Sequence, residues 1–156
     1  MTDQHLIDVI LDERTVVRRN PDIVQEQKIA IFDLLEKNRF SPEGGHTGPY
    51  ILRLSVQEDR IVFNIHDQQD TALTAVNLPT SSFRKLIKEY FLVCESYFEA
   101  IKTASPSRIE AIDMGRRGLH DEGSELLRER LEDKIEIDFD TARRLFTLVC
   151  VLHLRG

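Results

Sequence analysis

An α+β fold is predicted by three features of this sequence. Strand-like and helix-like segments fall in separate runs, a period-two meander occupies the middle of the first half, and a long period-3.6 pattern follows it. Together they describe a small antiparallel sheet, an N-terminal strand plus a three-stranded meander, covered by a long amphipathic helix and a C-terminal helical subdomain. One domain spanning 1–156 is expected, with a sheet-rich half at 1–80 and a helical half at 81–156.

The elements follow in order. Leu6–Leu11 is short, branched and mostly apolar, which suits a strand. Asn20-Pro21-Asp22 opens a helix with an N-cap, a proline at the first helical position and an acid in the first turn. Ile23, Gln27, Ala30, Ile31, Leu34 and Leu35 share one face of it. Asn38 suits a left-handed cap, and Ser41-Pro42 prevents continuation. Glu43–Pro49 reads as a flexible, glycine-rich loop. Leu52, Leu54 and Val56 then alternate with polar residues, and across a turn at Glu58-Asp59 so do Ile61, Phe63 and Ile65. Ala72–Leu78 completes the meander.

Pro79-Thr80-Ser81 starts the strongest helix, whose stripe is Phe83, Leu86, Ile87, Tyr90, Cys94, Tyr97, Phe98 and Ile101. It is expected to lie along the sheet. Ser107–Glu110 has the form of a capping box, and the helix it opens runs to a glycine segment. A second helix is expected from about Asp121 to Asp133, with Leu126, Leu127 and Leu131 inward. Lys134–Phe139 alternates and predicts an edge strand or extended link. Asp140 can cap a last helix to Leu154. The run Leu145–Leu154 is apolar nearly all round, which argues for a central place, although its branched residues leave a strand as the alternative.

Composition narrows function by exclusion. The net charge of −6 is spread along the chain, with no basic half or tail, so the counterion release that drives nucleic-acid binding has no footprint. The start Met1–His5 lacks a signal pattern, and Leu145–Leu154 is about half the ~20 residues a membrane span needs, so no membrane partner is expected. Cys94 and Cys150 sit singly in apolar helical patterns, which fits free thiols in a reducing cytoplasm.

The segments Asp22–Pro42, Leu52–Ile65, Phe83–Ile101 and Arg108–Leu131 resemble uncharacterised protein family 0262, a set of alphaproteobacterial proteins of about this length. The resemblance implies a bacterial cytoplasmic protein and supplies no catalytic residues, so the chemistry has to be read from the side chains.

Side chains able to do chemistry are densest in Gly115–Glu125. Read as a site, Arg116 and Arg117 fork onto a phosphate or carboxylate, and His120 transfers a proton. Read as structure, Gly118 is a helix C-cap with two cations in the last turn, and Asp121 is the next N-cap. His46, in the loop Glu43–Pro49, is a second ligand-binding candidate, although the loop lacks a phosphate-loop lysine and precedes a strand. The five histidines show no metal-ligand spacing, no cofactor fingerprint is present, and no Gly-x-Ser-x-Gly elbow surrounds a serine. Arg18-Arg19 and Arg143-Arg144 read as solvated helix-end charges. The expectation is a non-enzymatic protein that binds a partner or a second copy of itself. The alternative is a small enzyme or sensor for a phosphorylated or carboxylated metabolite, built on Gly115–Glu125.

Overall fold

A computed structural model describes residues 3–12 and 21–153, and for residues 21–23 the backbone alone. In chain order the elements are β1 (Leu6–Leu11), α1 (Pro21–Glu36), β2 (Phe40–Pro42), β3 (Tyr50–Gln57), β4 (Arg60–His66), β5 (Ala72–Pro79), a single 3₁₀ turn at Thr80–Ser82, α2 (Arg84–Thr103), α3 (Pro106–Leu131), β6 (Ile135–Ile137) and α4 (Phe139–Leu152). The expected cap Asn20, the inward face of Ile23 and the pair Arg18-Arg19 lie outside the described residues or side chains.

The architecture is α+β, with a four-stranded sheet in the order β1-β3-β4-β5. Period-two alternation works as anticipated: Leu52, Leu54, Val56, Ile61, Phe63 and Ile65 are all buried on one face. The pairing of β1 differs from the expectation. It runs parallel to β3 while the meander is antiparallel, so the sheet is mixed. A parallel neighbour needs a crossover connection, and α1 supplies one between the two strands. A second, two-stranded ribbon pairs β2 with β6 and ties residue 40 to residue 137. Ser41-Pro42, expected only to stop a helix, forms one of its strands, and Lys134–Phe139 supplies the other.

Asn38 is not a left-handed cap. Positive φ occurs among non-glycine residues at Glu58, Asp70 and Asp133. Instead its side chain accepts from the Leu6 amide at 2.7 Å and donates to the carbonyls of Leu6 (3.1 Å) and Leu34 (2.8 Å). One amide therefore closes the end of α1 and fastens β1 to it.

The helices stack away from the sheet. α4 packs on β3, α1 and α3 flank α4, and α2 lies against α3. The helix central to the core is therefore α4, with Leu145, Phe146, Leu148, Val149 and Leu152 fully buried. The long helix α2 enters that core at Ile87, just after its buried cap residue Phe83, but its far end leaves Ile101 half-exposed. Residues 141–152 are helical, which resolves the helix-or-strand alternative. Two caps sit two residues earlier than the sequence suggests. Ser105 accepts from the Arg108 amide with Pro106 as the first helical residue, and Asp138 accepts from the Thr141 amide. In each case the capping residue has extended backbone and its side-chain oxygen accepts an amide of the first turn.

The largest correction concerns the glycine segment. α3 runs unbroken for 26 residues from Pro106 to Leu131, straight through Gly115, Gly118 and Gly123. Gly118 is neither a cap nor left-handed, and Asp121 starts nothing. A mid-helix glycine costs about 1 kcal/mol, but α3 is sandwiched between α2 and α4, and the burial of Leu127 and Leu131 outweighs that loss. Tertiary packing keeps the helix whole.

Candidate functional site

Making α3 continuous changes what the segment Gly115–Glu125 presents. A helix brings residues three and four apart onto one side, so Asp113, Arg116, Arg117 and His120 face the groove between α3 and its neighbours. α4 presents Arg143, Arg144 and Thr147 by the same spacing. α1 adds Glu26, Ile29, Ala30 and Asp33, and Tyr90 of α2 contributes from below. Apart from Asp113, these residues, eleven in all, line a cleft of about 340 Å³. Four arginines and two carboxylates border it, on a chain whose overall charge is −6.

The four cations are not equivalent. Arg116 is committed. It donates to Asp113 from Nε (3.1 Å) and a terminal nitrogen (2.6 Å), and it stacks over the Tyr97 ring at 4.3 Å. The guanidinium in turn holds the Asp113 carboxyl below the usual carboxylate range. Arg117 shares Asp113 through one contact at 3.1 Å and is 61% exposed. Arg143 pairs with Asp121 through its buried Nε at 3.5 Å, a contact that does not reach hydrogen-bond geometry, and that nitrogen has no hydrogen-bond partner among the described residues. Arg144 lies 3.8 Å from Asp33 and donates one long bond of 3.5 Å to the Asp140 carbonyl. Arg117, Arg143 and Arg144 therefore keep N–H donors uncommitted, and they converge from two helices on one cleft.

His120 is built into the wall. The Thr147 hydroxyl donates to the Arg143 carbonyl at 3.2 Å, so the 2.8 Å contact between His120 Nε2 and Thr147 Oγ1 is donated by the imidazole. That leaves Nδ1 as a bare lone pair, buried and without a hydrogen-bond partner among the described residues. The ring stacks against Tyr90 at 5.5 Å and Phe146 at 5.3 Å. Burial, reinforced by the nearby Arg143 guanidinium, lowers the His120 pKa to about 4. A half-buried imidazole that stays neutral is a poor proton donor at neutral pH. The stability consequence has a definite sign. The unfolded chain protonates this histidine near pH 6.5 and the folded one does not, so stability is lost as pH falls below that value. Between pH 6.5 and 5 the loss is about 2 kcal/mol from this group. His120→Gln is expected to remove that part of the pH dependence in urea titrations, and an unchanged slope would count against the buried neutral ring.

The structure places the other candidates apart. His46 does not line the cleft. Its ring folds against Gly44, and its carbonyl accepts from Gln4 (3.2 Å) and the Tyr50 hydroxyl (2.9 Å). Ser124 is fully buried and returns its hydroxyl to the His120 carbonyl at 2.7 Å. Cys94 and Cys150 are free and buried, and burial pushes both thiols up, away from the reactive thiolate. Among the described residues, no three of His, Cys, Asp and Glu gather to hold a metal ion. No helix there is long and apolar enough to cross a membrane.

Sequence reasoning brought Arg116, Arg117 and His120 together and missed Arg143, Arg144 and Thr147. A signal for them existed: beyond its first turn α4 is apolar except for these three, and their spacing puts them on one face.

Comparison with known proteins identifies the relatives without adding a site. A family model described as "Uncharacterised protein family (UPF0262)" matches residues 3–155. A UPF0262 protein of Rhodospirillum rubrum is 56% identical over 97% of this chain and 94% of its own length. One from Paramagnetospirillum magneticum is 54% identical over 98% of both chains, and one from Sphingopyxis alaskensis is 52% identical over 98% of this chain and 95% of its own. No solved structure matches this chain.

Proposed function

The chain belongs to the uncharacterised protein family UPF0262, and from the geometry of its cleft we propose that it is a binding protein for a small anion, a phosphate or carboxylate. The observation that carries this reading is the convergence of Arg117, Arg143 and Arg144 with unspent donors on one concave surface. Guanidinium groups match such oxygens with paired hydrogen bonds. Binding without turnover is favoured by the state of the reactive groups nearby: a neutral, half-buried His120, a Ser124 bonded within its own helix and two buried thiols. The two free thiols also favour a reducing, cytoplasmic setting.

Thermal melting against inorganic phosphate tests it. At a hundred times the dissociation constant the anion stabilises by about 2.7 kcal/mol, several degrees at this size. The shift is expected to disappear in Arg117→Ala/Arg144→Ala, whose side chains are surface groups with weak ion pairs. Equal shifts in both proteins, or none in either, would sink the reading.

Self-association is a second reading, favoured by one observation. β5 closes one end of the sheet and contains no charged residue across Ala72–Pro79, whereas edge strands are usually guarded by charge. Sedimentation at high concentration is expected to show a dimer that Ala75→Lys, at an exposed position, converts to monomer. A monomeric parent protein would end this reading.

A further inference from the structure

The shape and rim of the cleft say more about the ligand than its charge does. Resting on the anion reading above, we infer that the ligand is amphiphilic, an organic phosphate or carboxylate whose apolar body lies over Ile29 and Phe32 of α1. Three observations support this. The cleft, at about 340 Å³, falls within the ~300–1,000 Å³ range of sites for organic small molecules and is far roomier than a bare inorganic anion requires. Its two sides differ chemically: α3 and α4 bring Arg117, Arg143 and Arg144, while α1 brings Ile29 and Ala30, set between the carboxylates Glu26 and Asp33, of which Asp33 lies 3.8 Å from Arg144. Exposed apolar surface also continues along α1 beyond the lining. Ile29, in the lining, is 49% exposed, and Phe32, one turn further along the same helix and outside the lining, is 67% exposed.

That arrangement divides recognition between two neighbouring surfaces. The guanidinium groups hold the anionic end. The apolar remainder then covers Ile29 and the Phe32 ring, where removing surface from water is favourable and stacking adds to it. An anion without such a body leaves the α1 side in water and gains nothing from it.

Calorimetric titration with two phosphate monoesters separates the parts: methyl phosphate, with almost no body, and phenyl phosphate, with a planar one. Phenyl phosphate is expected to bind about tenfold more tightly or better. In Ile29→Ser/Phe32→Ser that advantage falls to about twofold, while the affinity for methyl phosphate is unchanged. Both positions are exposed, so the variant keeps the core intact, and its far-ultraviolet circular dichroism and melting cooperativity verify that. Equal affinities for the two esters in the parent protein would overturn this inference and leave the anion reading standing. An advantage for phenyl phosphate that survives in the serine variant would also overturn it, because the apolar contact would then lie elsewhere. If neither ester binds, the anion reading fails and this inference fails with it.

Discussion

Gly123→Ala is expected to destabilise the protein by about 3 kcal/mol in urea denaturation, while Gly118→Ala, five residues away on the same helix, stabilises it by about 0.5–1 kcal/mol. The two glycines look alike in sequence and differ entirely in surroundings. A Cβ at Gly123 would stand 2.1 Å from Cζ of Phe146 and 2.5 Å from both Cε atoms, closer than carbon atoms can approach. The Phe146 ring cannot retreat. It is fully buried and packed edge-on against Tyr90 at 6.2 Å and His120 at 5.3 Å. The added methyl therefore forces α3 off α4, the contact that forms one wall of the cleft. A Cβ at Gly118 meets nothing within 4 Å, and the backbone there is ordinary helix, so alanine simply reduces the entropy lost on folding. Gly123→Ala/Phe146→Leu is expected to recover part of the loss by removing the obstructing ring. A Gly118→Ala variant that loses stability would contradict the unbroken helix.

The second large effect belongs to Asn38. Asn38→Ala is expected to cost about 3 kcal/mol, because it removes three hydrogen bonds and leaves the amide and carbonyl of fully buried Leu6 unpaired. Asn38→Asp keeps the acceptor for the Leu6 amide but loses both donors and faces two carbonyls with a charge, so it is expected to be no better. The loss is also local. β1 is held on one side by β3 and fastened to α1 by this amide, so hydrogen exchange is expected to accelerate in residues 6–11 before it does in β4. Uniform acceleration across the sheet, or a loss below 1 kcal/mol, would refute the clamp.

Much of this structure was legible in the sequence where the signal is a period. The β3–β4 hairpin, the third meander strand, the helical stripe from Phe83 and the alternation at Ile135–Ile137 all follow from which side chains must leave water. The errors fall where the outcome depends on a distant partner. Three glycines near Arg116 and Arg117 read as a break because local cost was the only term visible. The compensating term is burial between two other helices, and Gly123 itself is explained by Phe146, 23 residues later. Asn38 read as a local cap because its real partner, Leu6, is 32 residues earlier. Arg143 and Arg144 read as solvated charges because nothing local shows that α4 sets them beside Arg117.

The sequence alone determined the α+β class, the membership in a bacterial family, the two buried thiols and the cationic character of residues 116–117. Those properties are set by composition and by side-chain periodicity, which act over a few residues. Only the tertiary structure decided that β1 is parallel, that α3 is one helix, that His120 is a neutral strut under Tyr90, and that cations from α3 and α4 share a cleft with Ile29 of α1. Each of these depends on contacts between residues far apart in the chain, where the free energy of packing exceeds local preference and no local pattern records it.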